Sequence, residues 1–106
     1  MSAVIDLESM HDAALDASRL MKALANPDRL MLLCQLSQGE MSVGELEAAL
    51  GIPQPTLSQQ LTVLRDEKLV ETRREGKYIY YSVRSAQALA VLEVLYDQFC
   101  RPSRGK

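Results

Sequence analysis

Several features that mark common enzyme classes are missing from this 106-residue sequence. It has no Cys-x-x-Cys motif, no glycine-rich phosphate-binding loop and no pair of carboxylates in a catalytic arrangement. The two cysteines, Cys34 and Cys100, are far apart in the chain, which argues against a thiol oxidoreductase. We therefore predict that the protein is not an enzyme and has no catalytic residues.

Long apolar runs are missing as well. No stretch approaches the roughly 18 apolar residues that a membrane-spanning helix needs, and we expect no signal peptide. Apolar residues make up 47% of the chain, enough for one modest core. These features predict a single cytoplasmic domain over residues 1–106, with no membrane partner and with flexible ends at 1–6 and 101–106.

The chain has no overall excess of positive charge, since its net charge is −2. Residues 54–84 nevertheless contain six Lys or Arg and four Asp or Glu, a local charge of +2, whereas the remaining residues contain six and ten, a charge of −4. The local sign of charge matters more for phosphate contacts than the total does. Residues 54–84 are thus the segment suited to a polyanion, and two copies in a dimer would strengthen this weak patch.

Two short helices separated by a glycine are predicted in the middle of the chain. The first runs from about Val43 to Leu50, and Gly51 follows where a left-handed helix cap is expected. Pro53 and Pro55 mark the start of the second helix, and Pro55 suits its first position. This order and spacing indicate a helix-turn-helix.

The second of these helices has one apolar face and one polar face. Leu57, Leu61 and Leu64 recur at helical spacing and share the apolar face. The polar face is nearly uncharged, which suits hydrogen bonds to base edges in the major groove of DNA. The alternative is a solvated face without a partner, but such faces usually carry more Lys and Glu. We predict DNA-binding residues at Gln54, Thr56, Ser58, Gln59 and Thr62.

A β-hairpin is predicted directly after the second helix. Its strands cover residues 69–74 and 78–84, and Glu75-Gly76 supplies the glycine of a tight turn. Basic side chains cluster near the tip, where they could meet phosphates. The alternative is a soluble hairpin that uses charge to protect its edges. The predicted phosphate-binding residues are Arg73, Arg74 and Lys77.

The helices predicted at the two ends carry more apolar surface than one small core can bury. Ser85 can cap the last helix, which runs from Ala86 to about Phe99. We expect parts of the first and last helices to lie at a dimer interface, the alternative being packing on the chain's own core. The apolar stripe of the first helix comprises Leu7, Met10, Ala14, Ala17, Met21 and Leu24.

A central helix is predicted between the first helix and the helix-turn-helix. Asn26-Pro27-Asp28 combines a capping residue, a proline for the first turn and an acid near the positive end of the helix. The helix runs to about Ser37 and is apolar nearly all round. We therefore expect it to form the buried centre of the domain.

Taken together, these motifs resemble the ArsR-type family of bacterial repressors. The resemblance rests on Ala23–Leu30, on Pro55–Leu61 with Val63–Arg65, and on Leu69-Val70, Arg73–Lys77 and Tyr80-Tyr81. It implies a mainly α winged helix-turn-helix with about five helices and a two-stranded wing, dimerising through its first and last helices. It also implies a repressor that binds double-stranded DNA, at an inverted repeat if the dimer is two-fold, and leaves it when an effector acts.

Metal ligands of the family are missing at both of its common sites. Ser42 and Gly44 replace the two cysteines of its thiolate metal box, and the last helix has Glu93 and Asp97 but no His. Zinc sites normally use three or four nitrogen or sulfur ligands. We expect no metal site and no cofactor.

Two readings of the cysteines remain open on residue chemistry alone. Cys34 and Cys100 could be small buried apolar residues, or they could pair reversibly, because permanent disulfides are rare in the cytoplasm. Their positions resemble those of the persulfide-responsive BigR and SqrR repressors of the same family. That resemblance implies a thiol sensor of reactive sulfur species, with peroxide, organoarsenicals or no cysteine sensor as alternatives.

Overall fold

The computed structural model describes residues 6–100, and its elements follow the predicted order. The predicted flexible ends, apart from Asp6, lie outside the described residues. Asp6 is the N-cap of the first helix and accepts a hydrogen bond from the backbone N of Ser9 at 2.7 Å. The elements are α1 (Leu7–Leu24), α2 (Pro27–Leu36), β1 (Met41–Ser42), α3 (Val43–Leu50), α4 (Gln54–Asp66), β2 (Val70–Glu75), β3 (Tyr78–Val83), α5 (Ala86–Leu95) and a π-helical segment, Tyr96–Cys100.

Local capping also fixes the starts of three further helices. Asn26 accepts a hydrogen bond from the backbone N of Arg29 at 3.0 Å, and Ser85 accepts one from Ala88 at 3.0 Å. Ser42 and Glu45 form a reciprocal capping box at the start of α3. Gly51 ends α3 with φ 70°, the left-handed conformation that its position predicted.

The core forms where α2, α3 and α4 meet. Leu32, Leu33 and Leu36 of α2 are buried, as predicted for a central helix. Met31 on the same helix is 42% exposed, so this central helix leaves one side open. The other buried members of the core are Ala23, Leu24, Leu46, Ile52, Leu57, Leu61, Leu64, Leu69, Val70, Ala88 and Leu92.

The wing is a three-stranded antiparallel sheet of order β1–β3–β2, one strand more than predicted. Met41 pairs with Tyr81 and Ser42 with Tyr80, so β1 joins the hairpin to the segment ahead of α3. Glu75 pairs with Tyr78, which leaves Gly76 and the following residue as the two-residue turn. Gly76 has φ 62°, as a type II′ turn requires at its first central position. The prediction of a winged helix-turn-helix is confirmed, with this third strand as a correction.

The terminal helices leave much apolar surface uncovered. Ala23 and Leu24 are the buried residues of α1, and Leu7 at its other end is 81% exposed. In the C-terminal part, Val94 is 58% and Phe99 82% exposed. The Cα radius of gyration is 16.0 Å, whereas a compact chain of this length has one of about 13 Å. Within residues 6–100, no helix is both long and apolar enough to cross a membrane.

Candidate nucleic-acid interface and cysteine pair

The helix α4 is fixed to the core through its predicted apolar face. Leu57, Leu61 and Leu64 are at most 1% exposed. The helix begins at Gln54, and its N-cap, Pro53, makes no side-chain capping hydrogen bond. Pro55 therefore occupies the second helical position, whereas we had predicted the first. Its missing N–H costs nothing there, because N–H groups of a helix's first turn have no partner within the helix.

The opposite face of α4 is open, and the residues predicted to lie on it are uncharged. Gln54, Ser58, Gln59 and Thr62 are exposed, and Thr56 is half-buried. The Thr62 hydroxyl donates to the backbone O of Ser58 at 2.9 Å. Four of the five predicted side chains of the helix thus share an accessible surface, and the fifth lies at its margin.

The basic residues of the wing fall into two kinds. Nε of Arg73 donates to both carboxylate oxygens of Glu40, at 3.0 and 3.1 Å, and its Nη1 donates to Glu75 at 2.9 Å. Hydrogen bonds donated to Glu40 first, and then to Glu75, raise the pKa of Arg73, and the bond from Arg73 lowers the pKa of Glu40. Nε of Arg74 donates to the carbonyl of Gly76 at 3.3 Å. A phosphate contact by Arg73 would therefore have to compete with two carboxylates.

A third basic residue of the wing, Lys77, sits at the turn. Its Nζ lies 5.7 Å from the centre of the Tyr78 ring. The guanidinium carbon of Arg73 lies 4.9 Å from the centre of the Tyr80 ring. The exposed tip of the wing thus offers Lys77 and Arg74 to an anion, whereas Arg73 fastens the wing to the loop ahead of β1.

A hydrogen-bond network that the sequence did not reveal joins α1, α2 and α4. Nε of Arg29 donates to the Ala23 carbonyl at 2.6 Å, and Nη2 donates to the Lys22 carbonyl at 3.2 Å. Its Nη1 donates to Oε1 of Gln60 at 2.8 Å. Separately, Nε of Arg19 pairs with Glu67 at 2.7 Å. In the sequence, the only trace of this network is an arginine directly after Asn26-Pro27-Asp28. Its partner Gln60 lies 31 positions away, and no helical spacing predicts such a contact.

Both cysteines are free thiols on different parts of the fold. Cys34 lies on α2 and is half-buried, whereas Cys100 ends the π-helical segment and is exposed. Burial raises the pKa of Cys34, and the charge of Cys100 raises it further. Coulombic coupling of this kind needs the two groups to be near one another. Hence Cys34 lies close enough to Cys100 for that charge to act on it.

At the position of the family's metal box, Ser42 and Glu45 of this chain cap the start of α3. The backbone N of Glu45 donates to Oγ of Ser42 at 3.2 Å, and the backbone N of Ser42 donates to the Glu45 carboxylate at 2.9 Å. Among the described residues, no group of three or more His, Cys, Asp or Glu side chains could hold a metal ion. His11 is exposed on α1.

Comparisons with known proteins agree with this geometry. The model of the family described as "Bacterial regulatory protein, arsR family" matches residues 26–72. The biofilm growth-associated repressor of Agrobacterium fabrum is 54% identical over 98 residues, 92% of this chain and 84% of that protein.

Two solved structures extend the likeness to three dimensions. The transcriptional repressor BigR from Xylella fastidiosa has a TM-score of 0.84 at 49% identity, covering 92% of this chain and 100% of that one. The homodimeric winged helix-turn-helix DNA-binding domain of a possible ArsR-family regulator from Mycobacterium bovis has a TM-score of 0.72 at 30% identity, covering 100% and 99%.

Proposed function

Because this chain belongs to the arsR family of bacterial regulatory proteins, a family of DNA-binding transcriptional regulators and not of enzymes, we propose that it is a homodimeric repressor with a cysteine switch. The reduced protein binds an inverted-repeat operator in duplex DNA. Reaction of Cys34 and Cys100 with reactive sulfur species releases that operator. The family membership predicted from the motifs is thereby confirmed; the effector is our proposal.

The observation that carries DNA binding is the open face of α4, with its uncharged residues Ser58, Gln59 and Thr62, together with the basic tip of the wing. Gln59 is exposed and can bond an adenine in a bidentate manner, and Ser58 and Thr62 can bond bases or contact a thymine methyl. Arg74 and Lys77 are placed to contact phosphates, which supply affinity without sequence information. The two elements divide specificity and affinity between them.

Dimerisation is supported by apolar surface that one chain leaves open. Leu15 and Met21 of α1 and Leu89 and Val94 of α5 are exposed. A groove of about 530 Å³ opens between α1, the end of α4 and the start of α5, and Ala13 and Ala17 belong to its lining. Small side chains of this kind let a partner helix approach closely. The homodimeric relative from Mycobacterium bovis supports the same assembly.

Two-fold symmetry sets the form of the operator. A symmetric dimer presents its two α4 helices to half-sites of opposite orientation. Their centres lie about 34–36 Å apart, one turn of duplex DNA. The expected site is therefore an inverted repeat. The repressor role is supported by the biofilm growth-associated repressor and by BigR, the relatives with the same fold.

The thiol chemistry starts at Cys100, because its side chain is exposed whereas Cys34 is half-buried with a raised pKa. The Cys100 thiolate takes the outer sulfur of a persulfide, RSSH, and the thiolate RS⁻ leaves. The Cys34 thiolate then attacks the Sγ atom of the Cys100 persulfide, forming a disulfide, and HS⁻ leaves. If Cys100 has taken up two sulfur atoms, attack on the inner added sulfur forms a trisulfide and again releases HS⁻.

A bridge of this kind acts on the reading helix through packing. Cys34 is on α2, which packs against both α3 and α4. Cys100 is at the end of the helical segment that we assign to the dimer interface. A covalent link between them would couple the dimer geometry to α4 and move the two reading helices relative to successive grooves. Changing a 99:1 preference to 1:99 requires about 5.5 kcal/mol, which a covalent link can supply.

The test begins with an operator selected from a random duplex library by the reduced protein. A persulfide donor should release it, and a thiol reductant should restore binding. Cys34→Ser and Cys100→Ser should bind the operator and ignore the donor. Mass spectrometry of the released protein should detect an intramolecular Cys34–Cys100 product.

Other results would redirect the proposal. Release by peroxide or by an organoarsenical, but not by persulfide, would assign a different thiol-reactive effector. A normal response from either serine variant would show that the cysteines are not the sensor. Failure to select any preferred duplex would reject the DNA-binding role itself.

A further inference from the structure

The guanidinium of Arg29 holds three helices at one point. Two of its nitrogens donate to the carbonyls of Lys22 and Ala23, in the last turn of α1. The third donates to Oε1 of Gln60, halfway along α4, at 2.8 Å. The Arg29 backbone N is itself fixed by the Asn26 cap at 3.0 Å. The side chain therefore extends from a rigid helix start to both neighbouring helices.

The chemistry of arginine suits this position. Carbonyls of the last turn of a helix lack partners within the helix and carry its negative end, so a cation there is favourable. The planar guanidinium directs its donors in a fixed fork and stays charged at any pH relevant to proteins. A lysine ammonium presents its donors from one atom and does not match three acceptors on two helices.

Gln60 is the neighbour of Gln59 but does not share its surroundings. It is half-buried, whereas Gln59 and Ser58 are exposed. Successive residues of an α-helix differ by about 100° around its axis. Holding the Gln60 side chain from one side therefore limits the rotation of α4 about its own axis. That rotation determines whether the side chains of Gln59 and Thr62 point toward the base edges at hydrogen-bonding geometry.

We propose that Arg29 is a positioning residue for DNA recognition: by bonding Gln60 and the end of α1 at once, it sets the rotation of the reading helix relative to the dimerisation helix. This inference rests on the proposed function, because it assumes that α4 reads bases and that α1 contributes to the dimer. It assigns Gln60 a role without any contact to DNA. Specific binding, and not binding to DNA in general, depends on the link.

The test compares the full-length native protein with Gln60→Met, Arg29→Met and the double variant. Gln60→Met keeps the length of the side chain, removes the acceptor and changes no charge. Amide hydrogen exchange of the free proteins should be faster in α4 over residues 58–64 for all three variants. Exchange in α5 should be unchanged. Gln60→Glu keeps an acceptor at the same place and should retain slow exchange.

Binding is measured on the selected operator and on a scrambled duplex of equal length and composition, at one salt concentration. Gln60→Met should lose about tenfold in operator affinity, the scale of one charge-assisted hydrogen bond, with scrambled-duplex affinity unchanged. The operator-to-scrambled affinity ratio should fall equally for both single variants. The double variant should show no further fall, because both substitutions cut the same link.

Arg19→Met provides the matched control, since it cuts the other tie between α1 and the end of α4, the pairing with Glu67. It should affect the affinity ratio much less than Gln60→Met does. An equal loss there, additive losses in the double variant, or unchanged exchange in α4 would overturn the inference. If the native protein failed to distinguish the two duplexes, the proposed function would fail, while the exchange data would still decide whether Arg29 holds α4.

Discussion

Arg73 in the wing is ion-paired with Glu40, which lies just ahead of β1 and outside the hairpin. The pairing joins the middle of β2 to the loop that leads into α3, and the Nε atom of Arg73 reaches both oxygens of the Glu40 carboxylate. Both side chains are partly exposed, with 50% and 38% of their surface open. Exposed ion pairs contribute little to stability. Its effect is instead that Glu40 binds the Arg73 guanidinium, which would otherwise be free to contact a phosphate.

The wing should therefore show unequal salt dependence at neighbouring arginines. Each phosphate contact contributes about 0.9 to the slope of log K against log salt concentration. Arg74→Gln and Lys77→Gln should each flatten the slope by about that amount per protomer. Arg73→Gln should flatten it less, because carboxylates already balance that charge. Anisotropy titrations at several salt concentrations measure the slope; equal slopes for Arg73→Gln and Arg74→Gln would show that Arg73 exchanges its carboxylates for phosphate.

Gln59→Ala should reduce specificity without altering the salt slope. A bidentate contact to a base contributes about 1–3 kcal/mol of discrimination, and the loss should be confined to one base-pair position in each half-site. The same titrations against operators with single substitutions locate that position. Gln38→Ala, at an exposed glutamine in the turn after α2, is the matched control and should have no such effect. Uniform weakening across all duplexes would count against direct base contact by Gln59.

Val94→Asp should dissociate the proposed dimer while leaving the folded monomer intact. Val94 is 58% exposed in the single chain, so the substitution removes little from the core. In a dimer the new carboxylate would be buried without a partner, at a cost of about 3 kcal/mol or more. Sedimentation velocity should show a monomer at concentrations where the native protein is dimeric. Glu93→Gln, one position earlier, should leave the dimer unchanged; a dimeric Val94→Asp would place the interface elsewhere.

Alkylation of Cys34 should require a higher pH in the folded protein than in the unfolded chain. The pKa of Cys34 is raised by burial first and by the charge of Cys100 second, and only the thiolate reacts. Cys100→Ser removes the second cause, so the alkylation profile of Cys34 should move part of the way toward lower pH. Rates of iodoacetamide labelling at a series of pH values, followed by peptide mass, give both profiles.

The raised pKa of Cys34 should also lower the stability of the folded state at alkaline pH. A thiol whose pKa is raised in the folded state stabilises that state fully below the unfolded pKa, and the contribution is lost as pH rises through the folded pKa. Cys34→Ala should reduce the loss of stability on the alkaline side. Identical labelling profiles for Cys34 with and without Cys100 would show that the two thiols do not sense each other.

Lys68→Gly should stabilise the fold. Lys68 follows the last turn of α4 with φ 62°, and its N–H donates to the Arg65 carbonyl at 2.9 Å. The N–H of Leu69 donates to the Leu64 carbonyl at 2.9 Å, completing a Schellman motif that favours glycine. Relief of left-handed strain should add about 1 kcal/mol to the free energy of unfolding in urea. Lys68→Ala removes the charge but keeps the Cβ atom and should change stability by less than about 0.5 kcal/mol.

Sequence alone located the parts of the fold that depend on local chemistry. The caps at Asn26 and Ser85 and the left-handed glycine at Gly51 are fixed by neighbours within four positions in the chain. The buried face of α4 follows from the spacing of its leucines. Since the accessible face is the complement of the buried one, four of its five predicted residues lie on an open surface.

Features that depend on distant residues were not predictable in the same way. β1 has two residues, too few for any alternation, and it forms because β3 offers an edge. The partners of Arg73 and Arg29 are 33 and 31 positions away, respectively. From the sequence alone, a basic residue near the wing tip is expected to be free to bind phosphate. Only the three-dimensional structure shows that a carboxylate already binds Arg73. Ser42 replaces a metal ligand of the family, and Ser-x-x-Glu before a helix is also a capping signal that the sequence contains.

The π-helical register of residues Tyr96–Cys100 determines where the last thiol points. A π-helix bonds residues five apart and is wider than an α-helix, so each residue turns the side-chain direction through a smaller angle. Cys100 therefore faces a direction that an unbroken α-helix would give to another residue. Deleting one residue from this segment would favour α-helical register and carry the thiol around the helix. Such a protein would keep both cysteines in its sequence, but the proposed Cys34–Cys100 bridge could no longer close, so cysteine content by itself does not identify a sensor among related chains.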